Sequence, residues 1–551
     1  MNNKLMLFVV FLISILSVGC VCAADMAVTD SSDIGGSLDI DDSISQDLAS
    51  EPSSGERPLM ELPRGYENKT GDVDVPDDEE QDNTDGPVVN KQNNTDLNIT
   101  GPKIVVKIDS DNSTKTPTDN STKTPKIGPI IDDGIKEIPE VSISSPGTFK
   151  DLQAEIDDAE EGSTLYLTRD YYGQNDICIF INKDLIINGL GHTIDCLGAE
   201  NCFAFFSIFG KVTLKNLNII NGRNDKTYIG GAIYIGGLAQ YTIENCMFIN
   251  NWADDYGGAI CNDGYRQLTI KNCLFKENTA DDDDGGAIFS NGEVIIKNSI
   301  FDNNKACVDG GAVWCKNNVR VFNSTFTSNA AKGFSRQCYG GAICSEEDVF
   351  IDDCNFTSNY ANDYGGAVYA KNIYINQDQI GTEAYSLKHK KPIWYQDSGF
   401  DTTTYFGENV ADDNDGGALY AEGTVKLSFA RFSCNHAHED GGAVFCENIE
   451  INNTIFGGNE AIGAKLSDAE GGAIFAEENV KIYENVILNY NTARDHGGAI
   501  SCKDVYFYDP KVHFMSNDAE TFPDYEARII THKGISYSYE WDIRGNEHFE
   551  Y

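Results

Sequence analysis

The chain has 551 residues, 41 of them Lys or Arg against 87 Asp or Glu, a formal charge of −46. Such a field repels phosphate backbones, which argues against a nucleic-acid partner, and it favours solubility and cationic or basic ligands. None of the 16 cysteines falls in a C-x-x-C pair of the kind that holds zinc.

Lys4 precedes an apolar run from Leu5 to Val18, and Cys22-Ala23-Ala24 resembles a small-residue cleavage site before Asp25. Residues 1–24 therefore read as an export signal. Uncleaved, the run is long enough to span a bilayer and would be the one visible membrane anchor. An exported chain permits disulfides, and Cys196–Cys202 and Cys338–Cys344 are the local candidates.

Residues 25–146 read as a disordered acidic stalk rich in Ser, Thr, Asn and Pro. Tyr66 is the single aromatic in this stretch, and no cysteine occurs in it. It cannot bury enough apolar surface to offset its ordering entropy. Asn68, Asn93, Asn98, Asn112 and Asn120 stand in glycosylation sequons, so the stalk is read either as glycosylated or as a bare linker.

A helix is expected to open the folded part. Thr148 is its N-cap, Asp151 completes a capping box, and Phe149, Leu152, Ile156 and Ala159 follow helical spacing up to a stop at Gly162. Its place before a strand array suggests a lid.

From residue 230 the chain repeats. Gly-Gly-Ala followed by Ile, Val or Leu begins at Gly230, Gly257, Gly285, Gly310, Gly340, Gly365, Gly416, Gly441, Gly471 and Gly497. Between the copies falls Phe-x-x-Asn, as in Phe275/Asn278 and Phe301/Asn304, and strands such as "LTIKN" and "VIIKN". A period of about 25 residues without helical patterning predicts a β-solenoid whose coils stack their apolar faces. The fold class is thus all-β, a right-handed parallel β-helix of roughly a dozen coils over 147–520, with a C-terminal cap over 521–551. The GGA[IVL] and Phe-x-x-Asn motifs resemble the repeats of chlamydial polymorphic membrane proteins. The export signal, acidic stalk and "GHTID" coil are more similar to adhesin-like proteins of methanogenic archaea. These resemblances imply a secreted or cell-surface adhesin-like protein. About 30 residues follow the last coil, too few for a membrane barrel of even eight strands.

Repeated columns invite repeated explanations. The motif phenylalanine should fill the core and the asparagine should stack as an amide ladder. Acidic residues recur before the glycines, most densely at Asp281 to Asp284. They suit tight turns, and they alternatively form a carboxylate column for Ca²⁺. No other cofactor is indicated. The residue after the GGA aliphatic is aromatic in seven of ten copies. By alternation it points outward, where it would stack sugars or dock a protein, unless the glycine corner turns it into the core. Cys246, Cys273, Cys354, Cys315, Cys446 and Cys502 occupy columns shared with other small residues, as buried fillers do.

One spacing is 51 residues, which places an insertion near 377–401 within a single coil. It holds Lys388, His389, Lys390 and Lys391, followed by Trp394 and Tyr395. These six are the candidate binding residues, because long loops on repeat proteins lie on one face and often bind, although a tolerated insertion accounts for them equally well. No catalytic residues are assigned. His192 reads as structural, and the cluster His436, His438, Glu439 and Asp440 is the most catalytic in appearance. The functional expectation is an adhesin that meets a glycan or protein on another cell or its own envelope. The alternatives are a carbohydrate-active, pectate-lyase-like enzyme and a structural envelope component.

Overall fold

The computed structural model describes residues 145–174, 178–199, 204–225, 230–333, 337–377, 402–463, 469–508, 512–519, 528–532, 535–539 and 543–549. Every described residue lies in one compact unit, Thr118–Tyr551. The export signal and stalk lie outside the described residues.

Helix α1, Phe149–Asp158, begins as its capping box requires. Thr148 N–H donates to the Asp151 carboxylate at 2.8 Å, and Asp151 N–H donates back to Thr148 Oγ1 at 3.3 Å. Phe149, Leu152 and Ile156 are buried in the main core. The helix ends at Asp158, before Gly162, because Ala159 turns extended and Lys183 Nζ takes the carbonyls of Asp157 and Ala159. Gln153 pairs with a strand as a backbone would: its Oε1 accepts from Phe180 N–H at 2.7 Å and its Nε2 donates to Phe180 O at 3.1 Å. The edge strand at Ile179–Phe180 is thereby covered.

The remainder is the expected parallel β-solenoid. Three sheets, of 14, 11 and 23 strands, run along it. The coil from 260 shows the path: a GGA strand Ile260–Asn262, a second strand Leu268–Lys271 in the same sheet, then Leu274–Lys276, then Thr279–Ala280. Each strand pairs in parallel with its counterpart one coil on, Ile260 with Ile288, Phe275 with Phe301, and Thr279 with Lys305. Beyond 520, strand Ile543–Phe549 adds a parallel partner to Ile500–Phe507, and Arg528–His532 pairs antiparallel with Ile535–Tyr539. Among the described residues no helix is long and apolar enough to cross a membrane.

Each motif has a physical cause. The first glycine of most copies sits at positive φ, from 62° at Gly310 to 71° at Gly285, a region that L side chains enter only with strain. The second glycine has no room for a side chain: a Cβ on Gly286 would run into Gly311 O, and one on Gly311 into Gly341 O. The alanine is buried and bonds to its own counterpart, as Ala287 N–H does to Ala312 O at 2.9 Å. Two further corners per coil are left-handed at non-glycine residues, Asn272 (φ 52°) and Glu277 (φ 56°) in the coil above.

The Phe-x-x-Asn columns are the ladders their spacing predicts. Phe275, Phe301 and Phe326 are fully buried and stacked at 4.7 Å between centroids. Asn304 Nδ2 donates to Asn329 Oδ1 at 2.9 Å and to Phe275 O at 3.1 Å. Its Oδ1 accepts from Asn278 Nδ2 at 2.9 Å and from Asn278 N–H at 3.1 Å. Every hydrogen-bonding group of that buried amide is therefore used. A second amide ladder, on the strand-ending asparagines, runs Asn245, Asn272, Asn298 and Asn323, with Nδ2···Oδ1 distances of 2.8–3.0 Å.

The cysteines two places before the phenylalanines are more than fillers. Cys273 N–H donates to Ser299 Oγ, Ser299 N–H to Ser324 Oγ, Ser324 N–H to Cys354 Sγ, and Cys354 N–H to Thr404 Oγ1, at 3.1–3.5 Å. Across these coils the column supplies an acceptor on Cβ, a part that Cys, Ser and Thr can all play, whereas Ala430, Val486 and Val512 hold the same place further along without one. The Cys338–Cys344 disulfide does not form. Cys344 is a free thiol buried among aromatic rings, while Cys338 Sγ donates to Cys307 O at 3.4 Å. Cys202, and with it the other candidate pair, lies outside the described residues.

Candidate functional site

The six candidate residues, Lys388, His389, Lys390, Lys391, Trp394 and Tyr395, lie outside the described residues. The roots of their insertion do not. Phe356 pairs directly with Phe406, and Ile373 with Val425, so a single coil carries the whole insertion. Asn376 closes its base from a left-handed corner (φ 55°). Its Nδ2 donates to Ser428 O at 2.7 Å, and its Oδ1 accepts from Thr404 Oγ1 and Asp353 N–H, both at 3.1 Å. The coil is thus held shut whatever the loop does.

The GGA-strand aromatic column keeps its alternation. The aliphatic residue enters the main core, and the next residue stays outside it. Yet the column is not an open platform for sugars. Phe289 and Trp314 stack at 4.5 Å, Tyr369 and Tyr420 at 5.2 Å, Tyr420 and Phe445 at 4.8 Å, and Phe445 and Phe475 at 5.1 Å. Ring faces are spent on ring faces along the coil axis, and edges point outward. Where the column holds a cysteine, a tyrosine from before the glycines occupies the vacant ring slot. Tyr256 lies 4.4 Å from Phe289, and Tyr339 stacks on Tyr369 at 4.7 Å. The sequence signal was present, as "YGGAIC" at both 256–261 and 339–344. The result is a second small core of Cys261, Phe289, Trp314 and Cys344. Its rim is polar: Tyr234 OH donates to Asp263 at 2.9 Å and Tyr369 OH to Glu422 at 2.8 Å. Burial first, then those carboxylates, pushes both hydroxyls well above the ordinary tyrosine range.

The acidic corner is a ladder between coils and not a set of self-capped turns. Asp309 N–H donates to Asp284 Oδ1 at 3.0 Å, Tyr339 N–H to Asp309 Oδ1 at 2.8 Å, Asp440 N–H to Asp415 Oδ1 at 2.9 Å, and Glu470 N–H to Asp440 Oδ1 at 2.8 Å. Each carboxylate ties its coil to the backbone of the next. Glu470, Asp495 and His496 bring potential ligand atoms within 4.8 Å. Glu470, however, pairs with Arg544 and accepts from Ser501 Oγ at 2.7 Å.

Burial, opposed by the Tyr339 N–H and reinforced by Asp283 and Asp363, raises the Asp309 carboxyl from 3.8 to about 7. A group raised on folding contributes stability below its unfolded value and loses it as pH climbs through its folded value, here from about pH 4 to about pH 7. Asp309→Asn keeps an acceptor for Tyr339 and cannot ionise. Its melting temperature should exceed the parent's at pH 8, with the gap closing by pH 4. Equal gaps at both pH values would show that Asp309 is not held protonated by the fold.

The histidines do not assemble a catalytic group with Glu439 and Asp440. His436 Nδ1 lies 3.6 Å from Glu460 Oε2 one coil on, and burial lowers its pKa. Asp440 caps the next coil, and His438 Nδ1 is buried without a hydrogen-bond partner. His192 Nδ1 meets Asp170 Oδ1 at 3.1 Å, and the same oxygen accepts from Thr193 N–H at 2.9 Å, a structural clasp.

No curated protein and no solved structure matches this chain. Residues 245–263, 272–291, 298–316 and 353–371 match the Chlamydia polymorphic membrane protein repeat. Each segment begins just after a second strand, at Asn245, Asn272, Asn298 or Asp353, and runs through the Phe-x-x-Asn ladder to the GGA strand, so this chain carries that repeat, built as coils of a parallel β-solenoid.

Proposed function

We propose that this protein is a surface-exposed, adhesin-like binding protein whose solenoid presents its sides to a glycan or protein on another cell or on its own envelope. The observation that carries this reading is the polymorphic membrane protein repeat in four segments of the chain. The repeated motif residues support it by elimination. Phe, Asn, Gly and Asp columns are all engaged in stacking one coil on the next, which leaves binding to the outward columns and to the insertion rooted at Asn376 and Thr404. Lys388 to Lys391, with Trp394 and Tyr395, supply cationic and aromatic groups for such a contact.

The test uses the full chain and a version with residues 378–401 replaced by a short Gly-Ser link. Both are incubated with whole cells and a glycan array, and surface display is read by protease access on intact cells. The full chain should bind, and the shortened chain should bind at least tenfold more weakly with an unchanged melting temperature. No binding by the full chain would refute the adhesin reading. Equal binding by both would remove the insertion from the site.

A further inference from the structure

The second strand of each coil turns alternate side chains outward, and their charge departs from that of a chain at −46. Glu244 is held between Lys215 and Lys271, with Nζ–O distances of 3.2 and 3.0 Å. Further along the same sheet Glu450 is held between Lys426 and Lys481, at 3.2 and 3.4 Å. Each set carries two cations for one anion. Between the sets Arg320 lies over the Phe350 ring, 4.1 Å from its centroid, and Phe350 stacks on Tyr374 at 5.0 Å. Lys426, Glu450 and Lys481 stand in strict register on successive coils. They border a shallow hollow also lined by Thr424, Asn448 and Asn479, in which Asn479 Nδ2 donates to Asn448 Oδ1 at 2.8 Å. The four lysine side chains are 37–40% exposed, so their stems pack while their ammonium groups reach water.

We propose that this face binds an anionic polysaccharide whose sugar units carry carboxylates, a ligand class that rests on the surface-binding reading above. Coils repeat about every 4.8 Å, which is close to the rise of one pyranose in an extended 1,4-linked chain. Lys426 and Lys481 stand two coils apart with Glu450 between them, so alternate sugars of an extended two-fold chain present their carboxylates to the lysines. An ammonium group has three donors, and a single ion pair leaves others for a uronate. The Asn448–Asn479 amides and Thr424 supply neutral partners for ring hydroxyls. An acidic protein fits less well, because the face lacks the apolar pocket in which protein interfaces concentrate their energy, its rings being covered by Arg320 and by each other.

The test titrates the full chain by calorimetry, in low and moderate salt, with alginate, with alginate whose carboxylates are esterified, and with poly-glutamate. The variant Lys426→Gln/Lys481→Gln is run beside it, and its melting temperature checks the fold. Alginate should bind, the ester should not, and poly-glutamate should bind at least tenfold more weakly. The double variant should lose about tenfold in alginate affinity and show a shallower salt dependence. Equal binding of ester and acid, equal binding of poly-glutamate, or an unaffected variant would overturn the proposal. The same variant enters the cell-binding assay. Cells bound by the parent together with indifference to alginate would sink this inference alone. A parent that binds neither cells nor any glycan would sink the surface-binding reading itself.

Discussion

Replacing Asn304 by alanine should destabilise the solenoid by about 4 kcal/mol. The side chain is fully buried and at the centre of four hydrogen bonds. Its loss leaves the Asn278 N–H and one Asn278 Nδ2 hydrogen buried without partners, and each such group costs about 1–3 kcal/mol. Asn298 is the control. It belongs to the second ladder and donates to Asn272 Oδ1 at 3.0 Å, but in an exposed setting. There water replaces the lost partner, and the main penalty is alanine at a φ of 51°, about 1 kcal/mol. Urea unfolding measures both, and amide exchange shows where the coil opens. For Asn304→Ala, faster exchange should centre on the amides of Asn278 and its neighbours. A loss below about 1 kcal/mol for Asn304→Ala would mean that the ladder adds little beyond the stacking of the strands.

Gly311→Ala should be more severe still, at or above about 4 kcal/mol. The added Cβ would run into Gly341 O and the backbone of Ala330, neither of which is the end of a flexible side chain. Relief requires two coils to separate, and that breaks the ladder bonds on either side. Gly191→Ala separates this clash from the backbone effect. Gly191 has φ 88° with nothing within 4 Å of its virtual Cβ, so alanine there carries conformational strain alone, about 1–2 kcal/mol. Thermal unfolding of the two variants should therefore differ widely. Matching melting temperatures would show that the close approach at the second glycine relaxes easily. Because a solenoid opens coil by coil, protease cleavage near residues 310–340 is the more local readout.

The sequence by itself determined the period, the parallel solenoid, the capping box of α1, the phenylalanine and asparagine ladders, and an insertion near 377–401 within one coil. The capping box is local and the insertion breaks a regular spacing; the other features repeat, and a residue that must meet its own copy one coil away leaves the same letter at nearly every period. The recurrence of acidic residues before the glycines was legible for the same reason, but their bonds run to N–H groups one coil away, which local turn chemistry does not reveal. Other features depend on what stands beside a residue in space, and only the tertiary structure decided them. The outward aromatic column turned out to spend its ring faces on itself, with Tyr256 and Tyr339 filling the cysteine gaps. The Cys, Ser and Thr column proved to be a set of acceptors for neighbouring N–H groups, a role that small size alone does not reveal. The paired lysines around Glu244 and Glu450 are 27 and 31 residues apart in hydrogen-bonded partners such as Lys271–Glu244 and Lys481–Glu450, and scattered through an acidic chain. Strand register alone brings them onto one face, because stacking converts a distance of one period in sequence into a single strand spacing in space.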